Sequence, residues 1–125
     1  MKKDSLEVMF RLRKEFMSAL AASHGQSPNV DALDLSEKDV QRHLRDVSLR
    51  GVEEVFESLN ELKNSKSHRK TELPDVDKEK FLEEWVDAFN YFFTVLILSG
   101  FTADDLYEAY VRKDAIIHQR IKDGY

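Results

Sequence analysis

The chain has no cysteine among its 125 residues, which excludes disulfides, thiolate catalysis, zinc fingers and iron–sulfur clusters. It has only two prolines and four glycines, so few residues interrupt regular structure. It also lacks an apolar run long enough to span a bilayer, because Asn90 and Thr94 interrupt the longest one, 89–97. No apolar segment follows the lysines of the N-terminus. We therefore expect a cytoplasmic protein that is not exported and has no membrane partner.

Basic residues are fewer than acidic ones. The chain has 19 Lys and Arg residues and 24 Asp and Glu residues, so its net charge is −5. Basic residues do occur at Arg42, Arg45 and Arg50 and in the loop 63–70, so a nucleic-acid-binding helical bundle is one alternative. The acidic balance disfavours it, because nucleic-acid binding depends on a basic surface. We expect no nucleic-acid partner.

The abundance of Leu, Glu, Lys and Ala, with few breakers, predicts one all-α domain over 1–125, a bundle of four to five helices. Ser36 is the candidate N-cap of the second helix, and Gly51 is a candidate break or bend within it. Asp75 or Asp77 is expected to cap the third helix and Thr102 the fourth. The predicted helices cover about 6–23, 36–64, 78–98 and 103–121.

The third predicted helix is apolar or aromatic around almost its whole circumference between Phe81 and Leu98. Such a helix belongs in the middle of a bundle. Because the chain is short, part of this surface is expected to be covered by a second subunit, in a homodimer or a dimer of dimers. Phe89, Phe93 and Leu96 are the expected contributors.

Two pairs of acidic residues have the same three-residue spacing, Glu84 and Asp87 on the third helix and Glu54 and Glu57 on the second. Two such helices side by side bring four carboxylates together. Hard oxygen ligands suit Mg²⁺, with Mn²⁺ as a second candidate, and Mg²⁺ held by carboxylates usually completes its shell with water and substrate phosphates. The alternative is that both pairs lie on solvated polar faces of their helices. Acidic residues three apart, as in Glu54 and Glu57, commonly lie on such a face.

A series of motifs follows the two acidic pairs in fixed order along the chain. The motifs are Glu54-Val-Phe-Glu57-Ser-Leu-Asn60, Lys66 before a basic loop, Glu84-Trp-Val-Asp87-Ala-Phe-Asn-Tyr-Phe-Phe, Tyr110-Val-Arg-Lys113 and Arg120-Ile-Lys-Asp-Gly124-Tyr125. This series resembles the dimeric all-α dUTPases, members of the MazG-like nucleoside triphosphate pyrophosphatase superfamily. The resemblance covers about 6–125, and its most specific element is an ExxE motif followed by an ExxD motif.

The resemblance implies a MazG-like bundle that hydrolyses dUTP or a related nucleoside triphosphate to the monophosphate and pyrophosphate with Mg²⁺. It implies that Glu57, with Glu54, is catalytic and orients or deprotonates the attacking water. The implied metal ligands are Glu54, Glu57, Glu84 and Asp87, the phosphate-binding residues are Lys66, Lys113 and Arg120, and the nucleoside pocket contains Arg13, Asp114, Ile117 and Tyr125.

The chain departs from the family pattern where the base and sugar are read. Asp114 and Ile117 stand where the family usually has asparagines, and Arg13 stands where it typically has a glutamine that reads uracil. Arginine only donates hydrogen bonds, whereas a carboxamide also accepts them, so the pocket is expected to favour another base. The same departures motivate the alternative of a helical interaction or regulatory protein without turnover.

Overall fold

The structure is a computed structural model that describes residues 4–25, 32–63, 65, 68, 70 and 76–124. These residues contain no strand, so the all-α prediction is confirmed. The chain divides into two compact units, one formed by 1–33 with 96–125 and the other by 34–95. The helices are Ser5–Ser23 (α1), Lys38–Leu59 (α2), Lys78–Leu98 (α3) and Ala103–Lys122 (α4).

Two of the predicted helix caps are confirmed. The Thr102 hydroxyl accepts a hydrogen bond from the Asp105 backbone N–H at 3.1 Å, and the Asp105 carboxylate accepts one from the Thr102 N–H at 2.8 Å. This reciprocal pair satisfies two N–H groups that the first turn of α4 leaves without helical partners. At α3, Asp77 accepts from the Lys80 N–H at 3.0 Å. The alternative cap, Asp75, lies outside the described residues.

The predicted start and end of the second helix are wrong. Residue Glu37, not Ser36, precedes the first turn of α2, and its side chain makes no capping hydrogen bond. Ser36 instead donates from its backbone N–H and its hydroxyl to the Asp34 carboxylate, at 2.9 and 2.6 Å. These two hydrogen bonds lower the pKa of Asp34 because they stabilise its ionised form. The helix ends at Leu59 and passes through Gly51 without interruption.

The unit formed by 1–33 and 96–125 contains α1 and α4, which contact each other. Its buried side chains include Phe10 of α1 and Ala103 of α4. Gly100, between α3 and α4, has a positive φ of 90°, and a Cβ atom there would lie 2.7 Å from that of Ala32. The close approach and the left-handed backbone both require glycine at this turn.

In the unit 34–95, α2 and α3 lie side by side and run antiparallel. Gly51 in the middle of α2 contacts the ring of Phe92, and Glu61, just after α2, pairs with Lys80 at the start of α3. Residue numbers thus rise along α2 as they fall along the facing helix. Along both helices, the acidic pairs lie between these two contacts.

Within one chain, α3 is not enclosed along its whole length as a helix in the middle of a bundle would be. Leu82 is 65% exposed and Phe89 is 49% exposed. Near its C-terminal end, Ile97 and Leu98 are buried.

In the described part of the chain, no single helix has both the length and the apolar character to cross a membrane, although α3 and α4 as a bent pair meet that test on length and composition.

Candidate functional site

The facing sides of α2 and α3 carry one carboxylate each among small, buried residues. Glu54 shares a face of α2 with Gly51 and Ser58, which are three and four residues away and buried. Glu84 shares a face of α3 with Ala88, which is fully buried. Glu54 and Glu84 are partly buried. Each lies on the helix face that also carries these buried residues.

The second member of each acidic pair lies closer to solvent. Glu57 on α2 and Asp87 on α3 are both exposed. Each is three residues from a partly buried carboxylate of its own helix, a separation that puts neighbouring side chains on one side of a helix. The two pairs thus form a graded arrangement, with Glu54 and Glu84 inside and Glu57 and Asp87 at the rim.

Glu54 interacts electrostatically with the other three carboxylates. Partial burial raises the pKa of Glu54 above its ordinary value, and the pKa rises further because of the negative charge of Glu57, a hydrogen bond with that residue, and the charges of Asp87 and Glu84. Burial and like charges both disfavour the ionised form of a carboxyl group. Glu54 therefore lies close enough to both acidic pairs for their charges to influence its pKa.

One oxygen of this group has no hydrogen-bonding partner. Oε2 of Glu84 is buried and accepts no hydrogen bond. A buried carboxylate oxygen without a donor is unfavourable and calls for a cation or a proton. The nearest basic group on the same helix is Lys80, one turn before Glu84, and the charge of Glu84 helps to raise the pKa of Lys80. The larger influence on the pKa of Lys80 is its hydrogen bond with Glu61.

The donor chemistry of the group fits a hard divalent cation. Four carboxylates offer oxygen ligands only, and the unsatisfied Oε2 of Glu84 supplies one that is already desolvated. Within the described residues, no three side chains of His, Cys, Asp or Glu are grouped so that they could hold one ion in this conformation. Cation binding by this group therefore requires new rotamers of Glu57 and Asp87, whose side chains are exposed.

The residues predicted to bind phosphate and nucleoside belong to the other unit or fall outside the described residues. Arg13 lies on α1, where its guanidinium stacks over the ring of Phe16 at 4.7 Å from the ring centre. Asp114 on α4 pairs with His118 at 3.4 Å, one turn along. Ile117, Lys113 and Arg120 are exposed on the same helix, and Lys66 and Tyr125 lie outside the described residues.

Sequence reasoning missed three residues beside the carboxylates. Gly51 is a packing position instead of a helix break, and the ion pair between Lys80 and Glu61 links the two helices. The available signal was spacing, since Gly51 precedes Glu54 by three residues and Lys80 precedes Glu84 by four. The pairing with Glu61 had no such signal, because it depends on how α2 and α3 are aligned.

Cavities in the described residues also occur away from the carboxylates. One, of about 620 Å³, lies in the other unit between the starts of α1 and α4, and it is lined by residues that include Asp4, Glu7 and Tyr107. Comparisons with family models, curated proteins and solved structures give no match to this chain.

Proposed function

We propose that the protein is a Mg²⁺-dependent nucleoside triphosphate pyrophosphohydrolase that converts dUTP or a related nucleoside triphosphate to the monophosphate and pyrophosphate. The observation that carries the proposal is the group of four carboxylates in which Glu54 is influenced by Glu57, Asp87 and Glu84, with a buried, unpartnered oxygen on Glu84. The resemblance of the motifs to the dimeric all-α dUTPases supports the same reaction, and with it a MazG-like bundle.

In this proposal, Glu54, Glu57, Glu84 and Asp87 hold the cation. Mg²⁺ supplies charge neutralisation at the phosphate oxygens when it is bound. Glu57 is the carboxylate suited to orient the attacking water and to accept its proton, because it is exposed and lies one turn from Glu54. Mn²⁺ is the second candidate cation, since it takes the same oxygen ligands.

The remaining roles follow the order of the motifs along the chain. Lys66, Lys113 and Arg120 contact the phosphates in this proposal. The nucleoside pocket contains Arg13, Asp114, Ile117 and Tyr125. Because Arg13 presents only hydrogen-bond donors, the proposal leads us to expect a base with an acceptor-rich edge to compete well with uracil.

A homodimer, or a dimer of such dimers, is part of the proposal. Each helix of the described chain exposes large apolar side chains, among them Phe16, Phe56, Phe89 and Tyr110. Covering apolar surface of this kind is a main driving force for subunit association. We propose that Phe89, Phe93 and Leu96 contribute to the interface and that the enzyme acts in the cytoplasm.

A nucleotide panel tests the proposed reaction. The purified protein is incubated with each dNTP and NTP in Mg²⁺, and pyrophosphate release is measured. We expect release from at least one nucleotide and a loss of about a hundredfold or more in Glu57→Gln and Asp87→Asn. Glu53→Gln and Glu83→Gln are matched controls, because each removes an exposed carboxylate adjacent to a proposed ligand. No release from any nucleotide at high protein concentration would refute the enzyme and favour the interaction protein.

A further inference from the structure

Gly51 has no local reason to be glycine. It lies in the interior of α2 with helical backbone, where glycine is less favourable than alanine because it loses more conformational freedom on folding. It is nevertheless buried, and a Cβ atom built on it would overlap the ring of Phe92, with Cδ1 at 2.9 Å and Cζ at 3.0 Å. The missing side chain therefore serves the packing of α2 against α3.

The ring of Phe92 belongs to a row of aromatic side chains along α3. It packs edge-on against the ring of Phe89, with centres 6.4 Å apart and planes at 89°. Phe89 in turn contacts Trp85 and Phe93 through ring pairs at 6.2 and 6.1 Å. A methyl group at Gly51 would thus displace either this row of aromatic rings or the whole of α3 relative to α2.

The contact lies directly beside the carboxylates. Gly51 is one turn before Glu54 on the same face of α2, and Ala88 lies one turn from both Phe92 and Glu84 on α3. On the far side of the carboxylates, Glu61, just after α2, pairs with Lys80 at the start of α3. A change in helix separation at Gly51 is therefore transmitted to Glu54 over one turn of α2 and to Glu84 over two turns of α3.

We infer that Gly51 is a positioning residue, whose lack of a side chain lets α2 approach α3 closely enough for Glu54 and Glu84 to bind one divalent cation together. The inference rests on the proposed function for the identity of the site, and it adds the residue that sets the spacing of the ligands. Displacements of ligating groups by about an ångström are costly to binding and to catalysis.

Mn²⁺ alone, titrated into the full chain and followed by its electron paramagnetic resonance signal, tests the inference. We expect Gly51→Ala to weaken Mn²⁺ binding about tenfold. Its melting temperature is expected to fall as well, because the added methyl group overpacks the contact with Phe92, and circular dichroism checks that the variant keeps its helices. Adding Phe92→Leu to that variant removes the ring that the methyl group meets, so it is expected to restore most of the affinity. A merely structural glycine would not give this rescue.

A second variant approaches the same contact from α3. Phe92→Trp enlarges the ring against the unchanged Gly51 and is expected to weaken Mn²⁺ binding in the same direction, so the test stands even if Gly51→Ala fails to fold. Equal Mn²⁺ affinity in folded Gly51→Ala and the unmodified chain would overturn the inference. No Mn²⁺ binding by the unmodified chain would overturn the inference together with the proposed metal site. Binding that weakens as expected, without pyrophosphate release from any nucleotide, would refute the proposed reaction and support the role of Gly51.

Discussion

The Nζ atom of Lys80 lies 3.3 Å from Oε1 of Glu61, and this ion pair joins the first turn of α3 to the residues that follow α2. The Glu61 side chain is only 14% exposed, whereas that of Lys80 is largely in solvent. Lys80 also lies one turn before Glu84 and feels its charge. The lysine therefore has two roles, as a partner for the mostly buried carboxylate of Glu61 and as a cation that interacts with Glu84.

We predict that Lys80→Gln tightens the binding of Mn²⁺ or Mg²⁺ about two- to fivefold, because it removes a positive charge that competes with the added cation for Glu84. The same change is expected to lower the melting temperature, because Glu61 loses its partner while it stays mostly buried. Metal titration and thermal unfolding measure the two effects. Lys78→Gln, two residues earlier, is the charge-matched control, and equal tightening in that control would refute the role given to Lys80.

The raised pKa of Glu54 leads us to predict that the stability of the metal-free protein depends on pH. Its pKa is raised in the folded state, so the folded chain holds this proton more tightly than the unfolded chain does. The resulting stabilisation is complete below the ordinary pKa of a glutamate and is lost as pH rises through the raised pKa. Denaturation at a series of pH values should show the free energy of unfolding falling over this interval.

We predict that Glu54→Gln removes that fall and stabilises the metal-free protein at pH 7 by about 0.5 kcal/mol, since it relieves repulsion from neighbouring carboxylates. Glu53→Gln, its exposed neighbour, should leave the pH profile unchanged. An unchanged profile in Glu54→Gln would mean that another group is responsible.

Removal of the capping box at α4 is expected to lower the stability of the protein and to leave the carboxylate site unchanged. Thr102→Ala removes the hydroxyl that accepts from the Asp105 N–H and should cost about 1 kcal/mol. Thr102→Ser keeps the hydroxyl and should cost much less. Chemical denaturation measures both variants, and equal destabilisation by serine and alanine would show that the methyl group of Thr102 matters more than its hydrogen bond.

The exposure of Phe89 leads to a prediction about the oligomeric state, because half of this large apolar side chain is exposed within one chain. We expect the unmodified protein to sediment as a homodimer or a larger even-numbered assembly, and Phe89→Asp to shift it to monomers at the same concentration. Circular dichroism checks that the variant keeps its helices, and Phe89→Leu is the apolar control. A monomeric unmodified protein would refute the proposed interface.

The four helices and most of their ends follow from local features of the sequence. The helix formers and scarce breakers predicted the all-α class, and the side chains of Thr102 and Asp77 cap their helices as their positions indicated. Local signals suffice where the deciding interaction spans three or four residues. Ser36 was predicted wrongly because two local hydrogen-bonding patterns compete there, and the turn with Asp34 takes precedence over the cap.

The alignment of α2 with α3, and with it the surroundings of the carboxylates, depends on contacts that form only in the folded chain. Spacing along the chain placed Glu54 with Glu57 and Glu84 with Asp87, but it gave no register between the two helices. That register is set by contacts between residues distant in sequence, the close approach of Gly51 to Phe92 and the ion pair of Glu61 with Lys80. Side-chain volume and charge at those contacts determine which faces meet, and a one-dimensional pattern of hydrophobicity carries no information about such pairwise fit.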